Sequence, residues 1–425
     1  MLAPRWAHTL RSQARPLASA WAPGLGAVAV AIALLPALAW VQVTIVDYQE
    51  IPRIYRVYGE EIVAGAVPYR DIEIEYPPAS VPLFVLPALV TSSPSAYAIV
   101  FAGLVGALGM AGLALSARIG AMLAPPSRSW LVRTLGAGVI IGLLGSVALT
   151  RFDFVPAALT IAALYLLLRA RFGWAGLLLG AAVAVKLYPA VIFPLALTYV
   201  FKRAGRRPAA LFTGIVCAVV VASYLPFLIA EPEGVLLSLR GQLERALQIE
   251  SSGATAYWLG VEVGLFEWPD RGYYDLNSPS AHVIGAVMAV AGLIVLGLLW
   301  LRYARGPVDG RRLVRYAFAS VTAFVVFGKV LSPQYLLWLV LFIPALRGLR
   351  ANPVTALLVA AALVTAVYFP RWFPAIVEDL APNGLAAIAI RNVFIAALLL
   401  ALVWGVQESS ESRLSRAATS AARAS

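Results

Sequence analysis

Two charged residues that stand alone in apolar surroundings are the first candidates for chemistry. Asp47 directly follows an apolar run of about 22 residues. A carboxylate that is partly removed from water can accept a proton from a hydroxyl, so Asp47 is a candidate general base; a stop at the end of a membrane-spanning helix is the alternative. Lys186 lies in A-V-K-L-Y-P and needs a partner, because burying an unpaired ammonium is costly. That partner is either a substrate phosphate or a carboxylate of the protein.

Two further polar groups interrupt the apolar pattern. Arg151 and Asp153 occupy a short turn, T-R-F-D-F, and are either a charge pair that caps two helices or part of a site. The motif K-V-L-S-P-Q-Y brings the cation of Lys329, the amide of Gln334 and the phenol of Tyr335 to one predicted helix break. Such a break exposes backbone N–H groups at a helix N-terminus, which suits an anion.

The remaining candidates lie in two long polar segments. Residues 233–249 carry leucines at helical spacing and predict an interfacial helix. Arg245, Gln248 and Glu250, at its end, are either its polar face or groups that bind a phosphate and hydroxyls. In residues 58–78, Gly65 and three prolines predict an ordered turn, and Asp71 begins an alternation of acidic and apolar residues typical of a short exposed strand. That segment is either a binding wall or a solvated loop.

The composition assigns these residues to a membrane protein. Of the 425 residues, 61% are apolar and 13% are charged, and the mean hydropathy is +0.84, whereas soluble domains have about 25% charged residues. A soluble globular enzyme, a disordered chain and a disulfide scaffold are therefore excluded. One cysteine and two histidines make a protein-built transition-metal site unexpected. His282, at the end of a predicted span, remains a candidate site residue.

Apolar runs predict twelve membrane-spanning helices, since roughly 20 apolar residues cross a bilayer. They lie at about 24–46, 95–117, 131–150, 154–168, 173–185, 188–201, 209–230, 281–301, 314–328, 335–346, 353–369 and 384–405. Two pairs of neighbouring spans are short. The spans 173–185 and 188–201 meet at Lys186, and the spans 314–328 and 335–346 meet at Lys329. The short segment 79–90, with two prolines, predicts a re-entrant or interfacial piece.

The charges orient these helices. The net charge is +12, but 22 of the 33 basic residues and only three acids fall on one side, which gives that side +19 and the other −7. The positive-inside rule makes the basic side cytoplasmic. Both termini are then cytoplasmic, with a segment 1–23, a membrane domain 24–405 and a disordered tail 406–425. The loops 47–94 and 231–280 face outward, and the basic charge orients helices and indicates no nucleic-acid partner.

Taken together, the motifs resemble glycosyltransferases of the GT-C type, specifically glycosyltransferase family 87, which includes polyprenyl-phosphomannose-dependent α-mannosyltransferases. The similar motifs are, in chain order, Asp47 after the first span, G-x-x-P-Y-R-D before E-Y-P-P at 65–78, R-F-D-F-V-P-A at 151–157, A-V-K-L-Y-P at 184–189, L-Q-I-E-S at 247–251 and G-K-V-L-S-P-Q-Y at 328–335. The resemblance covers about residues 24–405.

The resemblance implies an all-α polytopic membrane protein of the GT-C fold, with about 12 transmembrane helices and interfacial helices in two outer loops. It implies transfer of a sugar, mannose, from a polyprenyl-phosphate donor to a glycolipid or glycan acceptor at the outer face of the inner (plasma) membrane, with inversion. Asp47 would be the general base. The donor phosphate would be held by Lys186, Arg245 and Lys329, where cations stabilise the leaving group.

The substrate-binding residues that the resemblance implies are polar or aromatic and belong to the same motifs. They are Tyr69, Asp71, Tyr76, Arg151, Asp153, Gln248, Glu250, Gln334 and Tyr335, with His282 as the possible counterpart of a histidine used by some relatives. No cofactor and no metal-ligating site residues are expected, and the protein is expected to be a monomer in the lipid bilayer. The alternative is a transporter or flippase of a lipid-linked sugar, since broken helices also occur in transporters. Polar clusters on one face favour the enzyme.

Overall fold

The computed structural model describes residues 54–269, 274–348 and 351–403. In these residues nearly all secondary structure is α-helical, and the one sheet is a pair of two-residue strands. The prediction of an all-α polytopic membrane protein is confirmed. Asp47, the first predicted span at 24–46, the segment 1–23 and the tail 406–425 lie outside the described residues.

Seventeen α-helices follow one another in the described ranges. In the first half they are α1 (Arg56–Val63), α2 (Val81–Val90), α3 (Pro94–Leu123), α4 (Arg128–Leu144), α5 (Val147–Thr150), α6 (Phe154–Leu168), α7 (Phe172–Val185), α8 (Phe193–Ala204) and α9 (Arg206–Ala230). In the second half they are α10 (Pro232–Glu244), α11 (Ser252–Glu262), α12 (Pro279–Arg305), α13 (Gly310–Phe327), α14 (Leu336–Val340), α15 (Ala351–Tyr368), α16 (Phe373–Asp379) and α17 (Pro382–Val403). The strands are β1 (Leu247–Gln248) and β2 (Asp275–Leu276), paired antiparallel.

Helices occupy most of the predicted spans that fall in the described residues. The span predicted at 335–346 contains only the five-residue α14, and the span predicted at 131–150 is divided into α4 and α5. Five of the described helices, α3, α9, α12, α15 and α17, are long and apolar enough to cross a membrane by length and composition. The two pairs predicted to be broken are broken. After α7 the chain forms a 3-10 turn, Tyr188–Ile192, before α8, and after α13 another, Pro333–Tyr335, leads into the short α14.

Small residues let the central helices approach closely. A Cβ on Gly109 would lie 2.5 Å from the Phe154 ring, and one on Gly112 would lie 2.9 Å from Ala158. These contacts pack α3 against α6, which is buried along most of its length. Close backbone approach through glycine is a common way to pack helices in lipid, where the solvent supplies no hydrophobic drive for association.

The basic residues of several turns meet at one end of the bundle. Arg347 donates hydrogen bonds to the carbonyls of Gly120 at 2.7 Å and Ala124 at 2.8 Å, at the end of α3. Arg311 donates to Leu123 O at 3.1 Å, and Lys202 donates to Ala304 O at the end of α12. Cations at helix C-termini satisfy the last carbonyls and complement the helix dipole. Turns that the sequence assigns to the cytoplasmic side therefore share one end of the bundle.

The segment before α2 wraps against α10. The alternation predicted for residues 71–75 is present, with Ile72 and Ile74 buried and Asp71 exposed. The predicted strand is not, because among the described residues the backbone here pairs only in a single Pro68–Ile72 bridge. Tyr69 adopts a positive φ of 69° at this turn. A carbonyl of the segment, Ile74 O, accepts a hydrogen bond from Ser238 of α10 at 2.8 Å.

Candidate active site

One large pocket opens where the two broken helix pairs and the two long loops meet. Its volume is about 1190 Å³. Most of the candidate residues of the sequence analysis line it, namely Tyr69, Tyr76, Arg151, Lys186, Arg245, Gln248, Glu250, Lys329, Gln334 and Tyr335. Four cations and two carboxylates, Glu75 and Glu250, therefore line the same pocket. Such a surplus of positive charge suits an anionic ligand.

Lys186 reaches the pocket because the chain leaves α7 in extended conformation at this residue, with φ −158° and ψ 138°. Its ammonium is 2.6 Å from Asp153 Oδ1, which also accepts a hydrogen bond from Trp338 Nε1 at 2.7 Å. Asp153 is buried and its side chain is 2% exposed, while that of Lys186 is 18% exposed. Of the two partners considered for Lys186, the structure shows the carboxylate.

Aromatic rings surround the same lysine. Its ammonium lies 5.0 Å from the centre of the Phe152 ring, 5.3 Å from that of Trp338 and 5.6 Å from that of Tyr335. Trp338 is stacked between Tyr335 at 3.8 Å and Tyr188 at 3.9 Å. Cation–π contacts and stacking hold these groups in one arrangement. The result is a rigid aromatic wall that presents Tyr335 and a partly exposed ammonium to the pocket.

Gln248 joins two pocket segments. Its backbone N–H donates to Lys329 O at 2.9 Å, its Oε1 accepts from the Leu331 N–H at 2.9 Å, and its Nε2 donates to Ser332 Oγ at 3.2 Å. Its side chain is therefore committed to the 328–335 segment, which carries Lys329 and Tyr335. In this arrangement Gln248 orients other pocket groups as well as lining the pocket itself.

Arg245 and Lys329 have weaker protein partners than Lys186. Arg245 Nε is 3.9 Å from Asp275 Oδ2, and both side chains are 35% exposed. Burial raises the pKa of Asp275, and the Arg245 guanidinium opposes that rise. Lys329 Nζ donates to the carbonyl of Leu243 at 3.2 Å, at the end of α10. A long ion pair and a neutral acceptor leave these two cations able to bind an anion.

Glu250 lies against the last two membrane helices. Its Oε1 accepts a hydrogen bond from Tyr368 OH at 2.6 Å and forms an ion pair with Arg391 Nη1 at 3.1 Å. Burial raises the pKa of the Glu250 carboxyl, and the charge and hydrogen bonds of Arg391 and Tyr368 oppose that rise. Arg391 is fully buried within α17. A buried ion pair thus borders the pocket at Glu250.

Three candidates do not line the pocket with the others. Asp71 is exposed and pairs with Arg70 at 2.9 Å; hydrogen bonds from Arg70 and from the Val67 N–H lower its pKa to about 2. His282 is exposed, and its Nε2 contacts Asn277 Oδ1 at 2.9 Å. Asp153 stands directly behind Lys186.

Among residues 54–269, 274–348 and 351–403, no group of three His, Cys, Asp or Glu side chains is placed to hold a metal ion.

Three residues that support the site, Trp338, Tyr368 and Arg391, were not among the candidates predicted from the sequence. Trp338 lies in a predicted span, and nothing in its sequence context distinguishes it from other aromatic residues of such spans. Arg391 and Tyr368 lie in predicted spans too, but an arginine near the middle of an apolar membrane helix is itself a signal, because such a charge needs a partner and is usually functional. The span predicted at 384–405 contains this arginine, although it was predicted as an uncharged run.

The fold and the pocket define a polytopic membrane protein with a cation-lined site at one group of helix ends. The model of glycosyltransferase family 87 matches residues 75–333, more than half of the chain. The chain belongs to glycosyltransferase family 87 and is a membrane glycosyltransferase of the GT-C type. The matched range includes every described candidate residue except Tyr69 and Asp71, which precede it, and Gln334 and Tyr335, which follow it. A search of curated proteins found no match.

Proposed function

We propose that this glycosyltransferase uses a polyprenyl-phosphate sugar, with mannose as the sugar, and glycosylates a glycolipid or glycan at the outer face of the plasma membrane. The enzyme acts as a monomer with both termini in the cytoplasm. The observation that carries this proposal is the arrangement of four cations, Arg151, Lys186, Arg245 and Lys329, around one pocket. A phosphate is the group that such a cluster binds best.

The lining of the pocket supports a lipid-linked donor. Besides the cations, the pocket is lined by Ala289, Gly292, Leu293 and Leu296 of α12 and by phenylalanines of α13. Leu293 is exposed, and α12 is long and apolar enough to cross a membrane. An isoprenoid chain against these apolar residues and its phosphate among the cations would fit this lining. A soluble nucleotide sugar would not need the apolar residues.

The proposed reaction is a single displacement. The acceptor hydroxyl oxygen attacks the anomeric carbon of the donor sugar, and Asp47 takes the hydroxyl proton. The bond between the anomeric carbon and the phosphate oxygen breaks, and polyprenyl phosphate leaves with the electron pair. Attack from the face opposite the phosphate inverts the anomeric centre. Pocket cations, Arg245 and Lys329 above all, stabilise the charge that grows on the leaving phosphate.

Reconstitution tests this proposal. The purified protein in lipid vesicles is given labelled polyprenyl-phosphate mannose and a glycolipid extract, and transfer of label to glycolipid is measured. Product formation is expected. Movement of donor between leaflets without product would favour the flippase and contradict the proposal.

The role of Asp47 is tested in the same vesicles. Asp47→Asn removes the proton acceptor and is expected to abolish transfer while the melting temperature stays at the wild-type value. Asp379→Asn, at an exposed acid that does not line the pocket, is the matched control and should retain full activity. Full activity of the Asp47→Asn enzyme would contradict its assignment as the base.

A further inference from the structure

A buried polar network joins the pocket wall to α15 and α17. Arg391 Nη1 donates to Glu250 Oε1 at 3.1 Å and to Tyr368 OH at 2.5 Å. Its Nη2 donates to the backbone carbonyl of Glu250, and its Nε donates to Asn392 Oδ1 at 3.1 Å. Asn392 in turn donates to the same Glu250 carbonyl at 3.1 Å and to Thr255 at 2.9 Å. Every nitrogen of the guanidinium therefore has an acceptor.

Stability alone gives little reason for this network. Taking two charges out of water costs more than their attraction returns in many proteins, and well-packed apolar residues of similar size are often as stable. Here the pair is almost completely buried, at 0% and 2% side-chain exposure for Arg391 and Glu250. Such groups are retained where a charged side chain has to be held in one position. Because Glu250 lines the pocket, the network holds its carboxylate where a ligand can bind.

The contacts are distributed unequally over the carboxylate. Both Arg391 and Tyr368 bind Oε1, whereas Oε2 of Glu250 has no hydrogen bond within the described ranges. The Glu250 side chain is 2% exposed, and Glu250 lines the pocket. The backbone of Glu250 is also fixed from behind by Arg391 and Asn392. One oxygen is thus anchored, and the other remains able to accept a hydrogen bond from a ligand.

We propose that Arg391 and Tyr368 are positioning residues that hold Glu250 so that its Oε2 binds a hydroxyl of the donor sugar. This inference rests on the proposed function. An anchored carboxylate is a strong acceptor for a sugar hydroxyl, and Glu250 is two residues from Gln248, which fixes the segment of Lys329. The sugar next to the donor phosphate would therefore meet it. Tyr368 and Arg391 lie beyond residue 333, where the family match ends.

The variant Tyr368→Phe tests the positioning role with the smallest change. It removes only the hydroxyl that bonds Oε1, and kcat/KM for polyprenyl-phosphate mannose is expected to fall roughly tenfold, the effect of losing a hydrogen bond to a charged group. Tyr303→Phe is the matched control, because Tyr303 is equally buried, lies at the opposite end of α12 from the pocket and has no hydroxyl partner in the described part of the chain. Its activity should equal that of the wild type.

A second measurement separates positioning from structural damage. In a Glu250→Gln background, Tyr368→Phe should lower kcat/KM less than twofold further, because both substitutions act through the same carboxylate. Donors that lack single mannose hydroxyls are then compared. The wild type should use one of them roughly tenfold more slowly than the full donor, the effect of losing one hydrogen bond to a charged group, and Glu250→Gln should lose that discrimination.

The outcomes are distinct. Wild-type protein that forms no product would contradict the proposed function itself. Product formation by the wild type, together with equal activities of Tyr368→Phe and wild type, would overturn only the inference. So would a Glu250→Gln enzyme that still discriminates against the same deoxy donor, or losses that multiply in the double variant. Loss of discrimination with a retained melting temperature would support it.

Discussion

Removing the carboxylate behind Lys186 is expected to destabilise the protein strongly. Asp153 Oδ1 accepts from Lys186 Nζ at 2.6 Å and from Trp338 Nε1 at 2.7 Å, and the Asp153 side chain is 2% exposed. Breaking a buried ion pair costs about 3–5 kcal/mol, because the remaining charge is left uncompensated. Asp153→Asn keeps an oxygen for Trp338, and Lys186 retains 18% exposure to the pocket. We therefore expect a loss of about 3 kcal/mol, at the lower end of that range.

A double-mutant cycle with Lys186→Met measures how much of this loss comes from the unpaired charge. Without the ammonium, the amide of Asp153→Asn no longer faces a buried cation. The double variant should therefore be more stable than Asp153→Asn alone by about 2 kcal/mol. The free energy of unfolding is measured in mixed detergent micelles titrated with a denaturing detergent. Asp71→Asn, in the exposed pair with Arg70, is the matched control, and its free energy of unfolding should equal that of the wild type.

Additive losses would refute this reasoning. The residues act independently if the stability losses of the two single variants sum to the loss of the double variant within about 0.5 kcal/mol. The ion pair would then contribute no coupling, and the short distance between Nζ and Oδ1 would carry no energetic consequence.

Two further predictions concern the pocket and the loop that borders it. Lys329→Met should raise the KM for the polyprenyl-phosphate donor roughly tenfold by removing a phosphate contact, whereas Lys202→Met, at the other end of the bundle, should leave it unchanged; an unaltered KM in the first variant would contradict the phosphate role. Gly234→Ala should lower stability by about 1–3 kcal/mol, because its Cβ would meet Tyr69 O at 1.8 Å. Gly241→Ala in the same helix meets nothing within 4 Å and should be neutral or stabilising in thermal unfolding.

The helices could be predicted from the sequence because hydropathy and helix length have one physical cause. The bilayer sets the length of an apolar run, so α3, α9 and α12 appear where the runs are. The breaks at Lys186 and Lys329 could be predicted as well, since a proline follows each lysine and removes a backbone donor. Details that depend on a partner could not. The exposed strand predicted near Asp71 does not form, because in the part of the chain that the structure describes its backbone pairs in one bridge only.

The sequence predicts most of the residues that line the pocket, but it does not predict which of them pair with each other. Charges placed at helix ends on one predicted face must approach one another if the helices pack, and the pocket unites most of them. Which charges neutralise each other depends on distances that no spacing encodes. The partner of Lys186 is 33 residues away in the chain, and that of Glu250 is 141 residues away.

Those pairings rank three of the four pocket cations, Lys186, Arg245 and Lys329, by the charge they can offer a ligand. Lys186 is closest to a carboxylate, at 2.6 Å, and shares it with an indole N–H, so much of its charge is already balanced. Arg245 has a carboxylate at 3.9 Å, and Lys329 has a neutral carbonyl. Because the attraction between unit charges falls with distance and a carbonyl carries no net charge, the unbalanced charge increases from Lys186 to Arg245 to Lys329. In the proposed reaction the leaving phosphate therefore belongs nearest Lys329 and Arg245, and the Lys186 cluster serves mainly to hold the aromatic wall against the sugar.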